Sequence, residues 1–531
     1  RSNAMIIDGM GGGDIPHADA IVIGAGAVGL VVALDLARDG RRVRLLEAGG
    51  SVLQPQCQRR FEQADAVGHP HPGLHLGRFC MLGGTTNVWG GQLVRFGPEV
   101  FAPRPWVHAD AAWPIDREDL DPFYDHALAM LGMGHHLTDD MEVFARAGVA
   151  PPAPGTDLGY FFTRKTPEPS FAVHFGPELA SLDTLAVHLG VTVTGLELGE
   201  DGATVRGVRC RDGAGVAHTV TADDVVLCNG TIEIARLLAA ALADGRPAPW
   251  STLPWLGHGF MDHVDCYGGS VVPRHKRRFH DLFDSTVIRK IKYEPKLQLS
   301  PEAQEREHLL AAAAHFIFNS SYAEHLANLK ILVRSLGRGR WRGVSIKPSE
   351  LVGNLKIALP MVARYLRYRR LYNPADLGIK LRLTSEQRML RESRLCVRDE
   401  LDAFGMPIAD LDWRIDGVEI ETLAFLAERV RDFLDAADLA DVELDERLVA
   451  RDPGFIETLE DTNHQMGMAR MSASPTRGVV DADLRVHGTR NLYVAGAAVF
   501  PSSGFANPTF TGLALGLRLT TSLRHRLALA A

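Results

Sequence analysis

Residues 20–47 carry the pattern that most limits what this chain can fold into. Ala20-Ile21-Val22-Ile23 is a short apolar run of the kind buried in a parallel sheet, and Gly24-Ala25-Gly26-Ala27-Val28-Gly29 follows it directly. Leu30 to Arg38 then has the composition of a helix, Gly40 can end it, and Arg42-Val43-Arg44-Leu45-Leu46-Glu47 reads as a second strand. The chemistry follows from this order. Gly24, Gly26 and Gly29 let the backbone come close to a pyrophosphate, while the helix start at Ala27 and Val28 offers free amides and a positive dipole end. Glu47, 23 positions after Gly24, can accept hydrogen bonds from ribose hydroxyls. An acid there disfavours a ribose 2′-phosphate, so NADP is not the expected occupant.

At 531 residues the chain exceeds one ordinary core, and two to four domain-sized units are expected. A formal charge of -8 argues against nucleic acid as a partner. The six cysteines, Cys57, Cys80, Cys210, Cys228, Cys266 and Cys396, show no CxxC spacing, which fits neither a zinc site nor a disulfide framework. A reducing cytoplasm is the simplest setting. Arg1-Ser2-Asn3-Ala4 before Met5 reads as the remnant of a tag, and the polar, Gly-rich run to Asp14 is not expected to be a secretory signal. No window of about 20 uncharged apolar residues suggests a spanning helix.

A second nucleotide-domain signal lies at Asp224-Val225-Val226-Leu227-Cys228, a buried-strand run that leads through Asn229-Gly230-Thr231 into a helical Ile232 to Leu238. Ahead of it, 191–198, 205–211 and 217–221 alternate like a small antiparallel meander. Leu82-Gly83-Gly84-Thr85-Thr86-Asn87-Val88-Trp89-Gly90-Gly91 is a loop in which four glycines bracket hydroxyls, an amide and an indole. Such a loop can run close to a flat cofactor while Thr85 and Asn87 donate hydrogen bonds to it. Near the far end stand His464-Gln465-Met466-Gly467 and Ser502-Ser503-Gly504-Phe505-Ala506-Asn507-Pro508-Thr509. An imidazole has an unperturbed pKa near neutrality and suits a proton acceptor, and an amide beside it can orient the same hydroxyl oxygen.

Taken in order, these segments resemble the glucose-methanol-choline (GMC) flavoprotein oxidoreductases. The resemblance is carried by Gly24, Gly26, Gly29 and Glu47, the Gly83-Gly84 loop, Asn229-Gly230, Met261-Asp262-His263 and Ser393-Arg394-Leu395 with Asp399. Gly405-Met406-Pro407, Asp412-Trp413, and the stretch from His464 through Gly478-Val479-Val480-Asp481, Arg485 to Gly488 and Asn491 to Gly496 to Asn507-Pro508-Thr509 continue it. The sugar-oxidising branch is closest in flavour, through Trp113-Pro114-Ile115 with Leu120, Phe123 and Tyr124.

The resemblance implies an FAD-dependent oxidase or dehydrogenase acting on a CH-OH group of a sugar-like or polyol substrate, with an aminoglycoside or other sugar-containing natural product as one option. It makes His464 the base, Asn507 its partner, and flavin N5 the hydride acceptor. It puts Gly24, Gly26, Ala27, Val28, Gly29, Glu47, Gly83, Gly84, Thr85, Asn87, Val88, Trp89, Gly230, Gly496, Ala497, Asn507, Pro508 and Thr509 around the cofactor. Val88 stands where relatives with tethered FAD have a histidine before the Trp, so FAD is expected to be noncovalent. Gly467-Met468 replaces the usual Gly-Thr, which removes a hydroxyl. His263 and His487 are expected to be structural.

The expected architecture is α/β, of the α+β two-domain kind: a discontinuous Rossmann-type FAD domain over 16–270 and 455–531. A sheet-based substrate domain over 271–454 is inserted into it, with contributions from about 92–180. From Lys330 to Arg394 there are 16 Lys and Arg against 4 Asp and Glu, and Leu355 to Tyr372 reads as a basic amphipathic helix. A solvated face is the plain reading of it. Peripheral membrane docking, with electrons passed to an acceptor other than oxygen, is the alternative. A NAD-dependent dehydrogenase is disfavoured, because neither the Gly-Gly loop nor the C-terminal pair is needed for it. A purely structural flavin is disfavoured by His464 and Asn507 standing together.

Overall fold

The computed structural model describes residues 6–11, 15–109, 112–240, 247–321, 361–368 and 370–530. Twelve strands carry the architecture: β1 (Ala18–Ile23), β2 (Val43–Glu47), β3 (Leu158–Lys165), β4 (Leu185–Leu189), β5 (Thr192–Leu198), β6 (Val205–Arg211), β7 (Ala217–Leu227), β8 (Val264–Pro273), β9 (Ile291–Leu299), β10 (Ala312–Phe318), β11 (Ile379–Ser385) and β12 (Leu492–Val494). Four helices matter for the site: α1 (Ala27–Arg38), α2 (Thr231–Ala240), α3 (Val418–Ala436) and α4 (Pro508–Ala530).

The first sheet runs Ile6–Asp8, β4, β2, β1, β7, β6, β5, with β12 also paired to β7. Its centre is parallel. Val225 of β7 faces Ile21 of β1 on one side and Leu492 of β12 on the other, so the first and last parts of the chain meet across one strand. These strands are apolar because helices cover them, and α1 buries every residue from Gly29 to Ala37 between the sheet and its neighbours, α4 among them. The βαβ unit and the helix at 231–240 match the sequence expectation. The meander differs in one respect: 217–221 and 224–227 are a single strand, antiparallel to β6 in its first half and parallel to β1 in its second. No Gly or Pro lies between the two halves to break them apart.

The second sheet runs Ala440–Leu444, β8, β11, β10, β9, β3, Gln92–Leu93, and its pairings are antiparallel. β9 alternates strictly, with Ile291, Tyr293, Pro295, Leu297 and Leu299 buried and Lys292, Glu294, Lys296 and Gln298 half-buried. β11 follows the same rule, burying Ile379, Leu381, Leu383 and Ser385. One face packs against α3, while polar side chains from the other line a cavity.

Two expectations change. Cys57 and Cys80 form a disulfide, with Cα atoms 6.1 Å apart, where no disulfide was expected. Spacing gave no sign of it, because the pairing depends on the chain returning past the first sheet, where Gly50 bridges Met81. The basic segment falls largely outside the described residues, at 322–360 and Arg369. Of the described cations there, Arg364 bridges Asp281 and Asp284 at 3.1 Å each, and Arg388 pairs with Asp416. Among the described residues, no helix is long and apolar enough to cross a membrane.

Candidate active site

A single cavity of about 740 Å³ runs from the glycine turn after β1 to the polar face of the second sheet. Gly24, Glu47, Gly230 and Gly496 follow β1, end β2, follow β7 and follow β12 respectively, so they gather at the carboxyl ends of the parallel strands. Open parallel sheets bind ligands at such an edge.

The donor set there fits an FAD. Gly26 caps α1 without a side-chain hydrogen bond, leaving the first-turn amides unpaid by any cap, and Ala27 and Val28 line the cavity. A Cβ on Gly29 would lie 1.8 Å from the Gly24 carbonyl oxygen, so this glycine lets the helix start pack onto the turn and does not itself line the cavity. Glu47 accepts from the Ala25 and Gly49 amides, at 2.8 Å each. Burial raises its pKa to about 7 against those hydrogen bonds. Its carboxylate has lone pairs left over for hydroxyls facing the cavity.

The Gly-Gly loop divides its work. Gly84, Thr85, Val88 and Trp89 line the cavity, whereas Gly83 and Asn87 do not. Asn87 donates to the Leu82 and Gly84 carbonyls at 2.9 Å each and accepts from Ser170, so its amide holds the loop in shape instead of facing the cavity. A side chain in a tight turn finds backbone partners first. Ala497, Asn507, Pro508 and Thr509 complete the wall, with α4 starting at Pro508.

His464 and Asn507 meet: Nε2 of His464 is 2.9 Å from Nδ2 of Asn507. The histidine is carried by a turn that folds back on the chain. Its Gly467 has φ +84° and would put a Cβ 2.0 Å from the Gly259 carbonyl oxygen, which only glycine avoids. Thr231 at the start of α2 donates to the Gln465 carbonyl at 2.8 Å.

Hydrogen bonds fix the proton on the ring. Nε2 of His263 lies 3.3 Å from the Ser503 carbonyl, which can only accept, so this nitrogen carries the hydrogen and Nδ1 of a neutral His263 holds a lone pair. That lone pair is 2.9 Å from Nδ1 of His464. Thr462 donates its hydroxyl to Asp262 at 3.0 Å, and its oxygen is 2.8 Å from the same Nδ1. Two acceptors therefore face Nδ1, which must be the protonated nitrogen. Nε2 is left with its lone pair beside the Asn507 amide.

Asp262 also accepts from the His464 backbone amide at 2.9 Å and lies 3.1 Å from Nε2 of His71. His263, expected to be structural, is thus in direct contact with the catalytic candidate. His487 is structural as expected, 3.0 Å from the Ser472 carbonyl.

His464 is half-buried and lines the cavity. Burial, with the neighbouring His263 and Lys296 adding to it and Asp262 opposing it, lowers its pKa to about 3, so the ring is neutral near pH 7.

Residues missed in the sequence hold this arrangement. Gln387 accepts at one oxygen from the Asp262 amide and the Trp413 indole, both at 2.9 Å, and donates to the Arg414 carbonyl. Glu386 takes both arms of Arg104 at 2.7 Å and accepts from the Gly504 amide at 3.0 Å. Trp113 donates to Ser502 at 3.0 Å. Together they pin the 502–507 loop that presents Asn507. Gln387, Glu386 and Arg104 carried no sequence signal, whereas Trp113 and Trp413 did.

A parallel nucleotide sheet whose glycine turn opens onto a half-buried histidine–amide pair is the arrangement that a flavoprotein oxidoreductase requires. Residues 391–516 match the family described as GMC oxidoreductase. The 6'''-hydroxyparomomycin C oxidase of Streptomyces lividus is 24% identical over 96% of this chain and 92% of its own length. The paromamine 6'-oxidase of Streptomyces fradiae is 23% identical over 94% and 90%. Pyridoxine 4-oxidase from Mesorbium loti shares the fold, with a TM-score of 0.56 at 18% identity, over 96% of this chain and 99% of that one. The chain is thus similar to the GMC oxidoreductases, by a family match over 391–516 and by relatives that span nearly its whole length.

Proposed function

We propose that the chain oxidises a CH-OH group of a sugar-like or polyol substrate to a carbonyl, with His464 as the base. The observation that carries this reading is the lone pair on Nε2 of His464, fixed by His263 and Thr462 and set 2.9 Å from the Asn507 amide in the cavity that also holds the nucleotide turn. A hydroxyl entering there meets an acceptor for its proton and a donor for its oxygen. Bound FAD supplies the hydride acceptor.

The ring is ready because burial keeps it neutral, and the Asp262 carboxylate offsets the charge it takes up with the proton. Ala27, Val28, Glu47, Thr85, Gly230, Gly496 and Thr509 would hold the cofactor, with Gly29, Gly83 and Asn87 shaping the backbone around it. Val88 reaches the cavity but has no nucleophile, which supports noncovalent FAD. The division of labour we propose gives cofactor binding to 16–270 and 455–531 and substrate binding to 271–454 with part of 92–180, β8 straddling the boundary. Two relatives named for aminoglycoside oxidation support a sugar-like alcohol as substrate.

The test is anaerobic mixing of the FAD-loaded protein with sugars, polyols and aminoglycosides while the flavin absorption is followed. Bleaching by an alcohol in the native protein, abolished in His464→Ala with FAD still bound, is the expected result. Equal bleaching in the variant would remove His464 from the role.

A further inference from the structure

Part of the cavity that His464 and Asn507 line is built from the polar face of the second sheet, and its charge is uneven. His315 of β10 pairs in register with Arg382 of β11, and Lys296 lies on the adjoining strand β9, one residue beyond the Leu297–Ala314 pair. Three nitrogen-bearing side chains therefore stand side by side across three neighbouring strands, all lining the cavity.

The carboxylates nearby are already engaged. Asp265 pairs with Arg382 at 2.7 Å and lies 3.3 Å from the Thr384 hydroxyl. Glu294 is held by Lys292 at 2.7 Å and Lys165 at 3.0 Å. Among the described residues Lys296 has one hydrogen-bond partner, the side-chain oxygen of Gln92 at 3.0 Å, and no carboxylate at ion-pair distance. An ammonium has three donors, so two remain for a ligand. Lys165, Lys292, Lys296 and Arg382 face Glu294 and Asp265, with Glu460 acting on Arg382 from further off. Burial and this crowding of positive charge push Lys296 down to about 8 and His315 down to about 3.

We propose that this wall is an anion subsite, so that the alcohol oxidised here carries a carboxylate or phosphate group seated on Lys296, His315 and Arg382. The inference rests on the alcohol-oxidising reading and sharpens its substrate class. An anion supplies the missing counter-charge to the row, and the hydrogen bonds it accepts are charge-assisted and desolvated. A polycation would meet the same row as repulsion. The subsite also fixes orientation, because an anchored charge on the second sheet leaves the far end of the substrate facing the His464–Asn507 pair.

The experiment titrates the FAD-loaded full chain with D-glucose, D-gluconate, D-glucose 1-phosphate and D-glucosamine, all bearing a free primary alcohol, reading binding from the change in flavin absorption and reaction from anaerobic bleaching. Gluconate or glucose 1-phosphate is expected to bind at least about ten-fold more tightly than glucose, with glucosamine weakest. Which of the two anions leads separates a carboxylate from a phosphate ligand.

Lys296→Met should collapse that preference to within about three-fold, and Lys296→Arg, which keeps the charge, should preserve it; flavin content reports that both variants fold. Glucose or glucosamine binding as tightly as the anions would overturn the subsite. So would a preference unmoved in Lys296→Met, including the case in which only the flavin potential shifts. Bleaching by glucose without any anion preference sinks the subsite and leaves alcohol oxidation standing. Anion preference with no bleaching by any of the four upholds the subsite and counts against alcohol oxidation.

Discussion

The two sheets solve opposite problems. The parallel sheet makes its end of the cavity from backbone: glycine turns, an uncapped helix start and strand ends, with Glu47 tied to amides of the same unit. The antiparallel sheet and the segments around it make the other end from side chains set by register, each carried by a different strand or loop. A backbone site tolerates sequence drift as long as the glycines and the strand order persist. A side-chain site can change ligand by single substitutions. On the proposed function, cofactor and substrate are divided between a conservative device and an adjustable one, with His464 and Asn507 lining the same cavity.

The sharpest way to break that comparison is His464→Ala. If chemistry depends on one side chain and cofactor binding on backbone, anaerobic flavin reduction should fall about a thousand-fold or more while the bound FAD stays at the native level. Loss of FAD together with activity would mean that the two ends are not separable.

The next effect concerns the frame that joins them. Glu386 is fully buried and holds Arg104 and the Gly504 amide, so Glu386→Ala strands a buried guanidinium, and denaturant unfolding should show a loss of about 3–5 kcal/mol. The exposed pair Arg146–Glu142 offers the contrast, since Glu142→Ala should cost less than about 0.5 kcal/mol. Similar losses at both would show that the frame is looser than its hydrogen bonds imply.

How much of this could be read beforehand follows the same line. The β1–α1–β2 unit, Glu47, the Gly-Gly loop and the His464–Asn507 pair were all legible, because each is a local pattern or a local chain of glycines and polar residues. Gln387, Glu386, Arg104 and His71 were not, because each acts through a partner from about 26 to 282 positions away and none sits in a pattern of its own. Lys296, His315 and Arg382 are an intermediate case. Their strands alternate apolar and polar visibly in Ile291 to Leu299 and Ile379 to Ser385, so the polar face was legible in principle, whereas the register that aligns the three was not. The contact of His263 with His464 was not legible either, since nothing local marks two histidines 201 positions apart as neighbours.

Asn507→Ala is expected to act more mildly than His464→Ala, because on the proposed function it removes a positioning donor and leaves the proton acceptor in place. The rate of flavin reduction should fall about ten- to hundred-fold, with an increase in the half-saturating alcohol concentration. A drop as large as that of His464→Ala would make the amide an equal partner in the chemistry.

The smallest expected change is in the pH profile of kcat/KM. An ordinary histidine base would begin to protonate as the pH falls through about 6.5, and activity would fall with it. Here burial, with the neighbouring His263 and Lys296, lowers the ring's pKa to about 3, and a lowered pKa means that the neutral, proton-accepting form persists as the pH drops. Activity should therefore hold nearly level from pH 8 to pH 5 and decline only in stronger acid, with the flavin still bound. His263 sets the result, because its contact with Nδ1 of His464 is one of the two that keep the hydrogen there and leave Nε2 free. An acid limb near pH 6.5 in the native protein would mean that the ring is more hydrated than its surroundings suggest. The base would then belong to the adjustable end of the cavity and not to the rigid frame between the sheets.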